Sequence, residues 1–262
     1  MEAARLSDVA RQFAIVFTAI FQIYASYVMG SQNGAIAQEI RSLVLPATYA
    51  FAIWGPIFLL CLVYAIFQAL PDRRTDPAFR ACGWWTAAAF LANGVWIYAF
   101  TGRQFVLAQI IILGGWLCAT MAFLIYARTM MAARSTPIDQ WIIGPALGLL
   151  AGWLTAASFV GLAATLVSTG LPADGVAAER GAAALLLAAA GVGVGIILRA
   201  KPGYSPAWVA YGAAVLWALL AIVVEQRSDS LLVAGAAIVG MALIVVVLVL
   251  PDGQINPAQS PA

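Results

Sequence analysis

Residues 43–70 read LVLPATYAFAIWGPIFLLCLVYAIFQAL. An apolar stretch of about 20 residues can cross the hydrocarbon core of a bilayer as a helix, so this stretch predicts a membrane-spanning helix. Pro46 constrains the backbone at its start, and Pro56 removes a backbone donor within it, which predicts a kink. The kinked helix can line a cavity with four aromatic rings, those of Tyr49, Phe51, Trp54 and Phe58. Ordinary packing of these rings is the alternative.

Further stretches of this kind bring the predicted number of transmembrane helices to eight. The predicted spans are 9–29, 47–70, 82–100, 105–127, 140–168, 181–199, 207–224 and 231–250. We interpret the first as an uncleaved helix, because acidic residues precede it and no small-residue cleavage site follows it. Its Thr18, Gln22 and Ser26 form one polar stripe, which should face the inside of the bundle.

The composition agrees with an all-α polytopic membrane protein. Of the 262 residues, 64% are hydrophobic and 9% are charged, whereas a soluble domain carries roughly 25% charged residues. A net charge of +2 is too small for a nucleic-acid binder. The chain has no histidine, which excludes histidine-ligated zinc or haem and catalysis by Ser-His or Cys-His pairs.

The short loops predict the orientation of the chain in the membrane. With a cytoplasmic N-terminus, nine of the 13 Lys and Arg residues fall inside and four outside, the four being Arg41, Arg103, Arg180 and Arg227. Positive charge accumulates on the cytoplasmic side, so both termini should be cytoplasmic. The inner (plasma) membrane of a bacterium is the location that we expect.

The distribution of tryptophan suggests two parts. Seven of the nine tryptophans precede residue 170. The segment LPADGVAAERG at 171–181 is charged and rich in turn formers, as linkers are. The sequence therefore predicts a five-helix module over 1–170, a linker over 171–181 and a three-helix extension with a short tail over 182–262.

Few polar residues lie within the spans. Asn93 is the only Asn, Asp or Glu near the middle of the first five, and Trp96 shares its helix face. The two side chains could orient a polar ligand edge against aromatic walls, although Asn93 could equally hydrogen-bond to a neighbouring helix. No span carries a pair of acids, so we predict no catalytic residues and no metal ligands.

Glycines recur every four residues in the fifth span, at Gly144, Gly148 and Gly152. Small residues at this spacing allow two helices to approach closely. The partner helix could belong to the same chain or to the second copy in a homodimer.

These motifs resemble the TspO/MBR family, the tryptophan-rich sensory or translocator proteins. Pro46, Trp54 and Phe58 are similar to the family's second helix, and the start of the fifth-helix pattern is similar at Trp153. The most specific match is to the third helix, N-x-x-W-x-x-x-F-x-G, at Asn93, Trp96, Phe100 and Gly102. The resemblance covers about residues 9–170. An asparagine that the family carries near the end of its fifth helix would fall near Gly161.

The resemblance implies that tetrapyrroles or other flat hydrophobic molecules bind in a pocket among five helices, for sensing or transport. The loop at about 30–46 would cap this pocket. The implied ligand-binding residues are Tyr49, Trp54, Phe58, Asn93, Trp96, Phe100 and Trp153. The resemblance also implies contact with membrane lipid, a possible homodimer and no obligatory cofactor.

Two other functions stay open at this point. The eight helices could surround the path of a small solute in a transporter, with the first five as a scaffold. Porphyrin breakdown, which has been suggested for some members of the family, is the third possibility. Because no acid or base is placed to assist it, we do not expect an enzyme.

Overall fold

The computed structural model describes residues 5–132, 136–202 and 205–251. Over these residues the chain forms eight long helices and no strands. Their bounds are α1 Leu6–Ile40, α2 Trp54–Ala69, α3 Pro77–Thr101, α4 Phe105–Ala132, α5 Gly144–Ser168, α6 Gly175–Ala200, α7 Ser205–Gln226 and α8 Leu231–Val249. A 3₁₀ turn spans Thr48–Ile53, a second spans Pro71–Arg73, and a π-helical turn at Asp139–Ile143 leads into α5.

The predicted all-α membrane fold is confirmed. By length and composition, seven helical stretches among the described residues can cross a membrane. The helix outside this set is α3, which is 25 residues long and carries an arginine, an asparagine and three tryptophans. It packs along both α1 and α4, so it runs through the bundle with them.

The helices pack in a continuous order. α3 lies between α1 and α4, α5 joins α4 to α7, and α8 joins α7 to α6. α2 contacts α1 and α5. The last three helices therefore pack onto the first five mainly through the contact between α5 and α7.

α1 is longer than the predicted span 9–29, and the expected loop at about 30–46 is wrong for most of its length. The helix continues to Ile40 and ends where Arg41 adopts a left-handed conformation, with φ 46°. Ile36 on the added turns is buried against Phe100 and Ala108. Long-range packing thus stabilises turns whose Gly, Ser and Asn residues are typical of a loop.

The segment expected as a linker, 171–181, is also partly helical. α6 begins at Gly175, so its first turns fall within the segment. The remaining turn is flanked by two glycines with positive φ, Gly170 at 103° and Gly175 at 84°. Such angles favour glycine, which lets α5 and α6 connect through a short turn.

The glycine ladder of α5 packs within the chain. A Cβ atom at Gly148 would overlap the carbonyl oxygen of Ala207, and one at Gly152 would overlap that of Tyr211. A Cβ at Gly144 would lie 3.1 Å from that of Ala207. The ladder is therefore the surface on which α7 approaches α5.

One end of the bundle holds a buried polar cluster. The Asp8 carboxylate accepts hydrogen bonds of 2.8 and 2.6 Å from the Arg80 guanidinium. Arg11, 1% exposed, donates to Gln68 Oε1 and to the carbonyl oxygen of Arg74.

At the opposite end of the bundle Arg103 pairs with Glu39 at 2.6 Å, with both side chains exposed. The start of α1 and the connection from α2 to α3 thus lie at one end of the bundle, and the end of α1 and the connection from α3 to α4 lie at the other. Arg134, one of the nine residues predicted to be inside, lies outside the described residues.

These two ion pairs allow a matched prediction. The Asp8→Asn variant should lower the thermal unfolding temperature clearly more than Glu39→Gln does. Asp8 is 4% exposed and its carboxylate accepts two hydrogen bonds from Arg80, so Asp8→Asn removes a negative charge and its attraction to Arg80 from a buried cluster. An exposed pair such as Glu39–Arg103 contributes about 0–1 kcal/mol. Tryptophan fluorescence during heating in detergent would measure both variants, and equal shifts would contradict the prediction.

Candidate functional site

A cavity of about 690 Å³ that involves several of the predicted site residues lies among α1, α2, α3 and the Thr48–Ile53 turn. We call it the outer cavity. Its lining includes Ser26, Tyr27, Ser31, Asn33, Gly34, Gln38, Thr48, Phe51, Trp54, Phe58, Asn93 and Trp96. Small-molecule sites are typically about 300–1,000 Å³ in volume. The cavity is therefore large enough for a small organic ligand.

The sequence FAIWGPIF builds one wall of the outer cavity. The backbone changes from a 3₁₀ turn to the α-helix at Trp54, which places Pro56 in the first turn of α2. A proline is tolerated there, because its missing N–H would have no partner within the helix. The predicted kink is thus a change of helix type. Within α2 the Trp54 ring stacks on Phe58, four residues later, with centroids 5.0 Å apart.

Asn93 lies at the junction of α1 and α3. Its Nδ2 donates to Gln22 Oε1 at 3.1 Å, and the two residues are 3% and 0% exposed. Asn93 also lines the outer cavity, so it both joins two helices and presents polar surface to the site. Thr18 is also buried and Ser26 lines the cavity, which confirms that the polar stripe of α1 faces inward.

A smaller cavity of about 70 Å³ adjoins the outer one, and we call it the inner cavity. The two share three lining residues, Asn33, Phe51 and Trp96. The inner cavity reaches α5, whose Trp153 packs edge-on against Trp54 with centroids 6.0 Å apart. Other residues of its lining are Ser42, Pro46, Phe100 and Gly161.

Six of the seven predicted ligand-binding residues lie together at these cavities. Trp54, Phe58 and Asn93 line the outer cavity, Phe100 and Trp153 line the inner cavity, and Trp96 lines both. Trp96 also stacks on Phe100, with centroids 5.2 Å apart.

Tyr49 is the exception among the predicted ligand-binding residues. It does not belong to the lining of either cavity, and its ring packs edge-on against Trp217 of α7 at 5.5 Å. It lies in a 3₁₀ turn, so its direction could not be derived from α-helical spacing.

The prediction of ligand-binding residues left out Asn33 and Ser42. Asn33 continues the polar stripe of α1, because it follows Ser26 by seven residues, or two helical turns. That signal is visible only when α1 is extended beyond residue 29. Ser42 lies in the short connection to the next helix, where no periodicity operates.

The C-terminal helices support the wall of the outer cavity. Trp217 Nε1 of α7 donates to the carbonyl oxygen of Ala50 at 2.9 Å, and the Ala47 N–H donates to the carbonyl oxygen of Ala221 at 3.1 Å. Both bonds hold the segment that carries Phe51 into the cavity. α7 therefore belongs to the support of the site.

The lining of the two cavities favours an uncharged, largely apolar ligand. No Asp, Glu, Lys or Arg occurs among the lining residues that the structure describes. The described ranges also contain no group of three or more His, Cys, Asp or Glu side chains that could hold a metal ion. The chemistry that this arrangement offers is aromatic stacking combined with a few neutral hydrogen bonds.

The sequence of this chain matches the model of a known protein family. A family model described as TSPO-like protein matches residues 8–250, which extends through α8 and beyond the 9–170 over which the motifs resemble the family. The search of curated proteins and the search of solved structures found no match. Beside Gly161, the Gln109 side chain of α4 donates to the Ser158 carbonyl oxygen at 3.1 Å.

Proposed function

This chain belongs to the TSPO-like family, and we propose on this basis that it binds a tetrapyrrole or another flat hydrophobic molecule in the outer cavity. The function would be sensing or transport of that molecule, without catalysis. The observation that carries the proposal is the set of stacked aromatic rings around a cavity of about 690 Å³ with no charged lining residue in the part of the chain described.

The aromatic pairs supply the binding energy in this proposal. Trp54 with Phe58, and Trp96 with Phe100, each present a nearly parallel pair of rings, with interplanar angles of 21° and 29°. Burial of apolar surface stabilises a complex by about 25 cal/mol per Å². Stacking of a flat ligand adds about 0.5–1.5 kcal/mol for each well-oriented ring.

The ligand would enter past the end of α1. Tyr27, Ser31 and Gln38 line the outer cavity and are exposed. Gln38 Nε2 donates to Thr48 Oγ1 at 3.2 Å, which connects α1 to the opposite wall. In the proposed function the last turns of α1 therefore take the capping role that the family resemblance implied for a loop.

The uncharged lining also favours a hydrophobic ligand over a small charged solute. Transport paths for ions and charged solutes are marked by ionisable side chains within the membrane. We therefore place the small-solute transporter second. A homodimer, the bacterial inner membrane and cytoplasmic termini remain further predictions, the last supported by the nine-to-four distribution of Lys and Arg.

Titration of the detergent-purified protein with protoporphyrin IX tests the proposal through tryptophan quenching and the Soret shift. The two ionised propionates of this ligand would stay in water at the exposed side of the outer cavity, beside Tyr27, Ser31 and Gln38. We expect saturable binding that Trp96→Ala weakens by about tenfold or more, because stacking and apolar burial are both lost. Asn93→Ala should also weaken it, since the bond to Gln22 that holds α1 against α3 is removed.

Trp141→Ala is the control for this titration. Trp141 is 66% exposed and lines neither cavity, so the affinity should stay unchanged. Failure to observe saturable binding, or equal affinities for all four proteins, would contradict the proposed function.

A further inference from the structure

Three of the residues that line the inner cavity have a buried polar side-chain atom without a hydrogen-bond partner within the described ranges. The atoms are Asn33 Oδ1, Ser42 Oγ and Trp153 Nε1. The residues are 8%, 5% and 3% exposed. All three side chains line the same volume of about 70 Å³.

This concentration is unusual for the molecule. The described residues contain eleven such side-chain atoms, and three of them belong to this one lining. Two other indole N–H groups are paired, Trp116 with Thr155 and Trp217 with the Ala50 carbonyl oxygen, each at 2.9 Å, whereas Trp208 Nε1 lacks a partner as Trp153 Nε1 does. A buried polar group without a partner costs free energy, so each one calls for an explanation. Binding of a polar group at this place is a common explanation for all three.

The hydrogen-bonding character of the three atoms defines the group that they could bind. Asn33 Oδ1 accepts, Trp153 Nε1 donates, and the Ser42 hydroxyl can do either. A complementary group must therefore both donate and accept. Since the described lining has no cationic side chain, a carboxylate or phosphate would lose its hydration without gaining a counter-charge.

We propose that the inner cavity binds the neutral polar end group of the ligand, such as an alcohol or a carboxamide, while the flat apolar body lies in the outer cavity. This inference rests on the proposed function and narrows its ligand class. The volumes of the two cavities agree with this division of the ligand. For comparison, one water molecule needs about 10–15 Å³ of cavity volume measured in the same way. About 70 Å³ thus holds a small end group, whereas about 690 Å³ holds a ring system.

Three pyrene derivatives with the same body test this proposal: pyrenebutanol, butylpyrene and ionised pyrenebutyrate. Their binding to the purified protein is measured by energy transfer from tryptophan. We expect pyrenebutanol to bind about tenfold more tightly than butylpyrene, since one or two hydrogen bonds are gained. We expect pyrenebutyrate to bind more weakly than pyrenebutanol.

Ser42→Ala and Asn33→Ala should reduce the preference for the alcohol by about threefold to tenfold. The ratio of the two affinities is compared between variants, so partition of the probes into detergent cancels. Ser158→Ala is the matched control, because the Ser158 hydroxyl is equally buried and unpaired but lines neither cavity. Ser42→Ala should not lower thermal stability, since its hydroxyl has no partner to lose.

The outcomes separate the two proposals. One outcome would overturn the end-group site and leave the proposed function intact. In it, all three probes bind saturably and Trp96→Ala weakens their binding, but Ser42→Ala and Asn33→Ala keep the same preference for the alcohol as the unchanged protein. Tighter binding of pyrenebutyrate than of pyrenebutanol would overturn the neutral character of the site. Absence of saturable binding by any probe or by protoporphyrin IX would overturn both.

Discussion

Replacement of Gly148 by alanine is expected to destabilise the protein by about 3 kcal/mol or more, since overpacking costs about 1–3 kcal/mol even where side chains can move. Here the new Cβ would overlap the carbonyl oxygen of Ala207 in the α7 backbone. The clash could be relieved only by a shift of one helix, which would also disturb the contact at Gly152. Thermal denaturation in detergent, followed by circular dichroism, measures the change.

Gly191→Ala is the matched control for Gly148→Ala. Gly191 lies within α6, and a Cβ there would have no heavy atom within 4 Å. Because alanine favours the helix over glycine, this variant should be neutral or more stable by up to about 1 kcal/mol. Equal stability of the two variants would contradict the close approach of α5 and α7.

Replacement of Gly34 by tryptophan should weaken protoporphyrin IX binding by at least about a hundredfold, a loss of about 2.7 kcal/mol. Gly34 lines the outer cavity, and a Cβ at this position meets no heavy atom within 4 Å. The indole can therefore extend into the cavity without displacing a helix. Tryptophan also suits a helix better than glycine, so thermal stability should be kept.

Gly114→Trp is the control for this loss of binding. Gly114 is an exposed position of α4, faces open space and belongs to neither cavity lining. Its substitution should leave the affinity unchanged while adding the same side chain. Unaltered porphyrin binding by a folded Gly34→Trp protein would show that the ligand binds outside the outer cavity.

The candidate site was predictable where a residue lies on a regular helix. Asn93, Trp96 and Phe100 share one region of α3, and spacings of three and four residues place them near each other. Tyr49 was misplaced because it lies in the 3₁₀ turn, whose side chains follow a different period. Asn33 was left out because the end of α1 depends on contacts with α3 and α4 that are distant in the sequence.

The sequence by itself determined the membrane class, the all-helical fold and the approximate position of every helix. These properties depend on local hydropathy, which a window of about 20 residues contains. Only the tertiary structure decided that α1 continues to Ile40, that the glycine ladder contacts α7, and that Trp217 holds the wall of the outer cavity. These features depend on which helices become neighbours. Because most helices in a bilayer have apolar surfaces of similar character, hydropathy cannot choose among them, and close packing and a few hydrogen bonds make that choice.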